Sequence, residues 1–180
     1  GFDLYSRILK DAVRDLRARQ GRADGAPARP YIDPEINIGF PAHIPAEYIP
    51  DVEERLILYR RMSELDSPDE RIDIALEIED RFGRMPDEVA ALIELMALRA
   101  LLRIAGVVSL TYRNQIAGFS FHPEARIDSK RLLDVVAASK QEIRISPAMV
   151  ITARYGRELE SPKELMEYLR DIFRNIGIWV

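Results

Sequence analysis

Between residues 71 and 83 the chain reads RIDIALEIEDRFG, and its acids fall at helical intervals. Asp73, Glu77 and Asp80 are spaced by four and three residues, which puts them on one face of a helix, while Glu79 points elsewhere. A carboxylate pair there could do general acid–base work, but a solvated helix face does not raise a carboxylate pKa. Acids at i and i+3 could hold a metal, yet such sites usually draw further ligands from facing helices. A negative stripe could dock on an arginine-rich protein surface. A plain solvated face, with Arg71 and Arg81 as intrahelical partners, is the remaining reading. On the residues alone solvation ranks first, docking second and catalysis last.

Other chemistry has little to stand on. The chain has no cysteine, which excludes disulfides, thiolate metal sites and cysteine nucleophiles. Its two histidines, His43 and His122, are far apart and sit in no catalytic pattern, so each reads as a turn or strand-end residue. The glycines form neither GxxxxGK nor GxGxxG, and GxSxG and HExxH are missing as well. No catalytic residue, metal or cofactor is therefore expected.

The elements that must position residues 71–83 can be read outward from them. Ser67-Pro68-Asp69-Glu70 is a capping box with proline at the first helical position. It predicts a helix with Ile72, Leu76 and Phe82 on its apolar face and Ala75 and Ile78 beside them. Gly83 ends that helix in a left-handed conformation. An earlier helix starts at Asp51, with Glu54 completing a capping box and Val52, Leu56, Tyr59 and Met62 as its stripe. Pro86 opens a third helix, apolar around most of its circumference and so central, which Gly106 ends. Before these, residues 35–44 alternate and read as a strand with Ile36, Ile38 and Phe40 on one side. After them, residues 107–121 form a hairpin turning at Asn114. Residues 128–139 form a short helix, and residues 142–155 a second hairpin split at Ser146-Pro147. Ser161-Pro162-Lys163-Glu164 caps a last helix. Residues 2–20 carry Phe2, Tyr5, Leu9 and Leu16 at helical spacing, and GRADGAPARP at 21–30 reads as a flexible linker. The fold class is α+β, with antiparallel hairpins packed against several helices in a single domain that has an N-terminal connecting helix.

The 180 residues suit one domain with a short extension, and 47% hydrophobic with 31% charged content is neither disordered nor membrane-embedded. No apolar run approaches the ~20 residues that span a bilayer. The first residue is Gly1 and no secretory signal follows, so a piece of a larger cytoplasmic protein is expected. The net charge of −4 divides unevenly: residues 1–30 carry +3, residues 31–95 carry −11 and residues 96–180 carry +4. The acidic middle repels phosphate and suits a basic protein surface. Arg7, Lys10, Arg14 and Arg17, with the basic C-terminal part, leave an accessory DNA-contacting module as the alternative.

GFDLY at the start, then IPAEYIPD, RLILYRRM and IEDRFGRMPDEV, in that order, resemble the C-terminal region of the bacterial transcription-repair coupling factors. That family shows GFDLY, IPxxYIPD, a RLxLYRR-like helix and an ELxDRFGPLP-like segment. The likeness covers nearly the whole chain, is most family-like over residues 31–106, sharpest over 46–90, and weak after Gly106. Ile78 replaces the family's leucine, Glu79 stands where an apolar residue is frequent, and Gly83-Arg84-Met85-Pro86 replaces GPLP.

The resemblance implies a parent that is an ATP-driven double-stranded-DNA translocase. Such a parent removes stalled RNA polymerase and recruits the excision-repair protein UvrA. This region is then a non-enzymatic regulatory domain, residues 31–180, joined to the motor by the helix and linker of residues 1–30. It rests on the parent's UvrB-like N-terminal module, covers the UvrA-binding surface and restrains the motor. No membrane is involved. The family's acidic contacts to arginines of that module fall on Glu77 and Asp80, with Arg81 next to them.

Overall fold

In a computed structural model the structure describes residues 32–125, 127–139 and 142–178. The expected helix over 2–20, the linker over 21–30 and Trp179 lie outside the described residues. The elements run β1 (Glu35–Asn37), α1 (Val52–Ser63), a 3-10 turn (Pro68–Glu70), α2 (Arg71–Phe82), α3 (Asp87–Ala105), β2 (Val107–Arg113), β3 (Ile116–Phe121), α4 (Ser129–Ala138), β4 (Ile143–Ile145), β5 (Val150–Arg154) and α5 (Pro162–Asn175). This is the expected order, and the class is α+β.

Local signals explain most boundaries. The Asp51 carboxylate accepts from the amides of Glu53 and Glu54, and the Asp128 carboxylate from those of Lys130 and Arg131. Ser67 and Glu70 form the reciprocal capping box. Ser161 accepts from the Glu164 amide. Gly106, with φ 79° and ψ 21°, ends α3 in the left-handed conformation. Asn114 and Gln115 both have positive φ, as a two-residue hairpin between right-twisted strands requires. Pro86 acts as the N-cap of α3 rather than its first helical residue.

The sheet has the order β1-β2-β3-β5-β4. The hairpins are antiparallel as expected, but β1 lies parallel to β2, with Ile36 opposite Leu110, so the sheet is mixed. β1 is also shorter than the alternation over 35–44 suggests. The chain leaves the ladder after Asn37, and Gly39 at φ 74° turns it away. Alternation still governs burial there: Ile38 is buried while Asn37 and Gly39 are exposed.

α3 joins two apolar clusters. Its Leu98, Leu101 and Leu102 pack with Leu110, Phe119 and Ile151 of the sheet and with Leu165, Leu169 and Phe173 of α5. Its Val89, Leu92 and Ile93 pack with Leu58 and Met62 of α1 and with Ile74 and Ile78 of α2. The Phe119 and Phe173 rings meet edge to face at 5.7 Å. The helical layer that carries the candidate site is thus fixed to the sheet through one buried helix.

Candidate docking face on the second helix

The path into α1 comes first, because α1 braces α2. Arg55 is buried although it is charged. Its guanidinium donates to the carbonyls of Ile49 and Pro50 at 2.6 and 2.9 Å, which satisfies both groups and pins the proline-bounded connection to the helix. The Tyr59 hydroxyl accepts from the Ile44 amide at 2.8 Å. These bonds turn α1 so that Arg55, Leu58, Tyr59 and Met62 face inward. The expected stripe was different: Val52 is exposed and Leu56 only half-buried.

Two struts then cross from α1 to α2. Arg61 forks onto Glu77, Nη1 to Oε1 at 2.5 Å and Nη2 to Oε2 at 2.6 Å. Arg81 donates to Glu54 at 2.9 Å and to Glu77 at 3.4 Å, and its guanidinium lies 4.8 Å from the centre of the Phe82 ring. Glu54 therefore serves Arg81, and no capping box forms at Asp51. The Arg61 hydrogen bonds are the main reason the Glu77 carboxyl sits below the ordinary carboxylate range, with Arg81 adding to them. At the end of α2, Tyr48 donates to the Gly83 carbonyl at 2.8 Å and its ring meets Phe82 edge-on. Burial, then Glu79, pushes the Tyr48 phenol up. Gly83 itself adopts φ 81° and ψ −166°, a conformation essentially confined to glycine.

α2 buries Ile74 and Ile78. The face expected to be apolar and inward, marked by Ile72 and Leu76, points outward instead: Ile72 is 53% exposed and Leu76 62%. Asp73, Glu79 and Asp80 are exposed around them, with no ion-pair partner among the described residues. Arg71, expected to be an intrahelical partner, instead turns to Glu94 of α3 at 3.3 Å and to the Pro68 carbonyl at 2.7 Å.

Of the three residues singled out from the sequence, Glu77 and Arg81 meet each other, while Asp80 stands apart on the outer surface. The sequence reading gives Arg61 no role and Glu54 only a capping role, whereas the structure pairs them with Glu77 and Arg81. The signal for Arg61 was present in RLILYRRM, whose last-turn arginines had no assigned partner. Chemically, a carboxyl held low by guanidinium groups is a poor general acid, and Asp80 sits on an exposed helix face. A groove of about 500 Å³ between the starts of α3 and α5 is lined by Phe40, Pro41, Asp87, Glu94 and Lys163 among others, and by no residue of α2. Among the described residues no acid or histidine cluster has metal-binding geometry, and no helix is long and apolar enough to cross a membrane.

Comparison with known proteins places this geometry in context. The model of the TRCF domain matches residues 38–132. The chain is 33% identical over 177 residues to a transcription-repair-coupling factor of Myxococcus xanthus, a match covering 96% of the chain and 14% of that protein. It is 26% identical over 176 residues to the transcription-repair-coupling factor of Escherichia coli, covering 98% and 15%. The chain thus spans about a seventh of these relatives. Its fold is similar to a crystal structure of the C-terminal domain of a transcription-repair coupling factor, with TM-score 0.68 at 16% identity over 82% of this chain and 96% of that one. Among the described residues, the segments that suggested the resemblance meet around α2: Tyr48 of IPAEYIPD contacts Phe82 and Gly83 of IEDRFGRMPDEV, and Arg61 of RLILYRRM contacts Glu77 just before it.

Proposed function

The chain belongs to the TRCF domain family, and we propose that it serves its parent as a regulatory, autoinhibitory docking domain. Residues 31–180 form the regulatory unit and residues 1–30 its connection to the motor. The partner in cis is the UvrB-like module, and docking there masks the surface that binds UvrA. The parent is an ATP-dependent translocase acting on double-stranded DNA and RNA polymerase in the cytoplasm, and this chain contributes binding rather than catalysis. The observation that carries the proposal is the outer face of α2 within the acidic middle of the chain, where Asp80 offers an uncompensated charge and Glu77 and Arg81 form the adjoining frame.

The physics suits a releasable contact. Rim ion pairs contribute about 0–1 kcal/mol each and weaken with salt. A domain held by a few of them and a modest apolar area can be displaced by a ligand that favours the open state. The test is a titration of the chain against the separately prepared UvrB-like module at increasing salt. Association at low ionic strength that weakens as salt rises is expected. No association even at low ionic strength would reject the docking function.

A further inference from the structure

The structure divides the labour within α2 in a way the sequence motif does not. Glu77 and Arg81 are turned toward α1 and engaged there. The exposed residues follow round the wheel in the order Glu79, Ile72, Leu76, Asp80, Asp73, and Glu77 and Arg81 come next, beyond Asp73. Two large side chains form an apolar ridge, more than half exposed, with acids along both flanks. Three nearby arginines are engaged elsewhere, Arg61 with Glu77, Arg71 with Glu94 and the Pro68 carbonyl, and Arg81 with Glu54 and Glu77, while the exposed Arg84 just past the helix forms no ion pair with this face. Among the described residues Asp73, Glu79 and Asp80 thus have no ion-pair partner, and the face carries an excess of negative charge.

We infer that the contact is made by this ridge, Ile72 and Leu76 seated in an apolar patch ringed by arginine or lysine, while Glu77 and Arg81 act as positioning residues that hold α2 at its angle to α1. This rests on the docking function proposed above and names the chemistry of the partner surface. An apolar centre enclosed by charges is the usual anatomy of a strong contact: the centre supplies affinity, and the rim supplies orientation and exclusion of water. The sign of the rim selects the partner. Three carboxylates repel nucleic acid and anionic lipid and attract a cation-bearing protein surface.

The probe is the UvrB-like module, titrated against the chain at low and high salt. Leu76→Ser and Ile72→Ser remove side chains that are more than half exposed, so the thermal midpoint should fall by only about 2–4 °C. Each should weaken binding about tenfold or more, and the loss should persist at high salt because it is apolar. Arg61→Met and Glu77→Gln should each weaken binding modestly by disturbing the strut, and the double variant should bind within about threefold of either single one. If wild type binds and the two serine variants bind equally well, the ridge is not the contact. If Glu77→Gln weakens binding as much in the Arg61→Met background as in the parent chain, Glu77 touches the partner directly and the division of labour is wrong. If wild type does not bind at all, the docking function falls first and this inference falls with it.

Discussion

The strut between Arg61 and Glu77 permits a quantitative test of how α2 is held. Arg61→Met and Glu77→Gln, made singly and together, form a double-mutant cycle whose coupling energy isolates the pair. The fork puts two charge-assisted hydrogen bonds on one carboxylate, at 2.5 and 2.6 Å, and this geometry exceeds a single contact. Against that, the side chains are 42% and 35% exposed, so solvent screens the pair. The expected coupling is about 0.5–1 kcal/mol at low ionic strength, the upper part of the range for surface ion pairs. It should fall to less than half of that at about 1 M salt, where the screening length is about 3 Å. Urea denaturation of the four proteins at both salt concentrations measures it.

The pH dependence follows from the same bonds. The Glu77 carboxyl titrates lower in the folded chain than in the unfolded one, because Arg61 and then Arg81 favour its ionised form. Its contribution is therefore present above the unfolded value of ~4.3 and disappears as pH falls through the lower folded value. The stability difference between the parent chain and Glu77→Gln should shrink as pH drops below ~4. A coupling indistinguishable from zero at low salt, or one that salt leaves unchanged, would refute the strut as the device that orients α2.

Two further outcomes are expected. Gly83→Ala should destabilise the chain by on the order of 1–3 kcal/mol in urea denaturation, wholly through backbone strain, since the added carbon would meet nothing within 4 Å; a loss within error of zero would contradict the observed backbone angles. Burial, then Glu142 and Tyr155, pushes the Tyr168 phenol up to about 12. Ultraviolet titration should show a late-ionising tyrosine that Tyr168→Phe removes, with the associated stability complete below ~10 and lost as pH rises toward the folded value. Ionisation of all tyrosines near ~10 would contradict that burial.

Much of the scaffold was legible because it depends on local signals. Asp51, Ser67, Asp128 and Ser161 announce helix starts, Gly106 announces a stop, and Asn114 announces a hairpin turn. Element order follows from those signals. Which face a helix buries does not. α2 carries two apolar stripes, Ile72 with Leu76 and Ile74 with Ile78, and periodicity has no means of choosing between them. Packing against α1 and α3 chose the second. On α1 the stripe was displaced by Arg55, a charged residue that is buried because two carbonyls wait for its guanidinium. The parallel placement of β1 was hidden for a related reason. Its partner lies far along the chain, and hairpin signals report only neighbours in sequence. At the site, the motif named Glu77, Asp80 and Arg81 together, but only the folded arrangement separates the two that face α1 from the one that faces out.

The parallel pairing of β1 with β2 also sets how the domain bears mechanical load. Residue 36 is opposite residue 110, so the whole helical layer is a closed loop sewn into the sheet at both ends. A pull on the chain ahead of Ile32 reaches β1 first. That strand is three residues long, lies at the edge of the sheet and is reinforced by the Asp33–Arg99 ion pair. Tension applied there is borne by that short strand and its parallel ladder to β2. If it yields, one end of the loop carrying α1 and α2 is freed, while α3 and the sheet behind it stay packed. The far end of the domain is anchored differently, by the buried face of α5. Force from the two ends of the chain therefore enters the domain through different elements, a three-residue edge strand at one end and a buried helix face at the other.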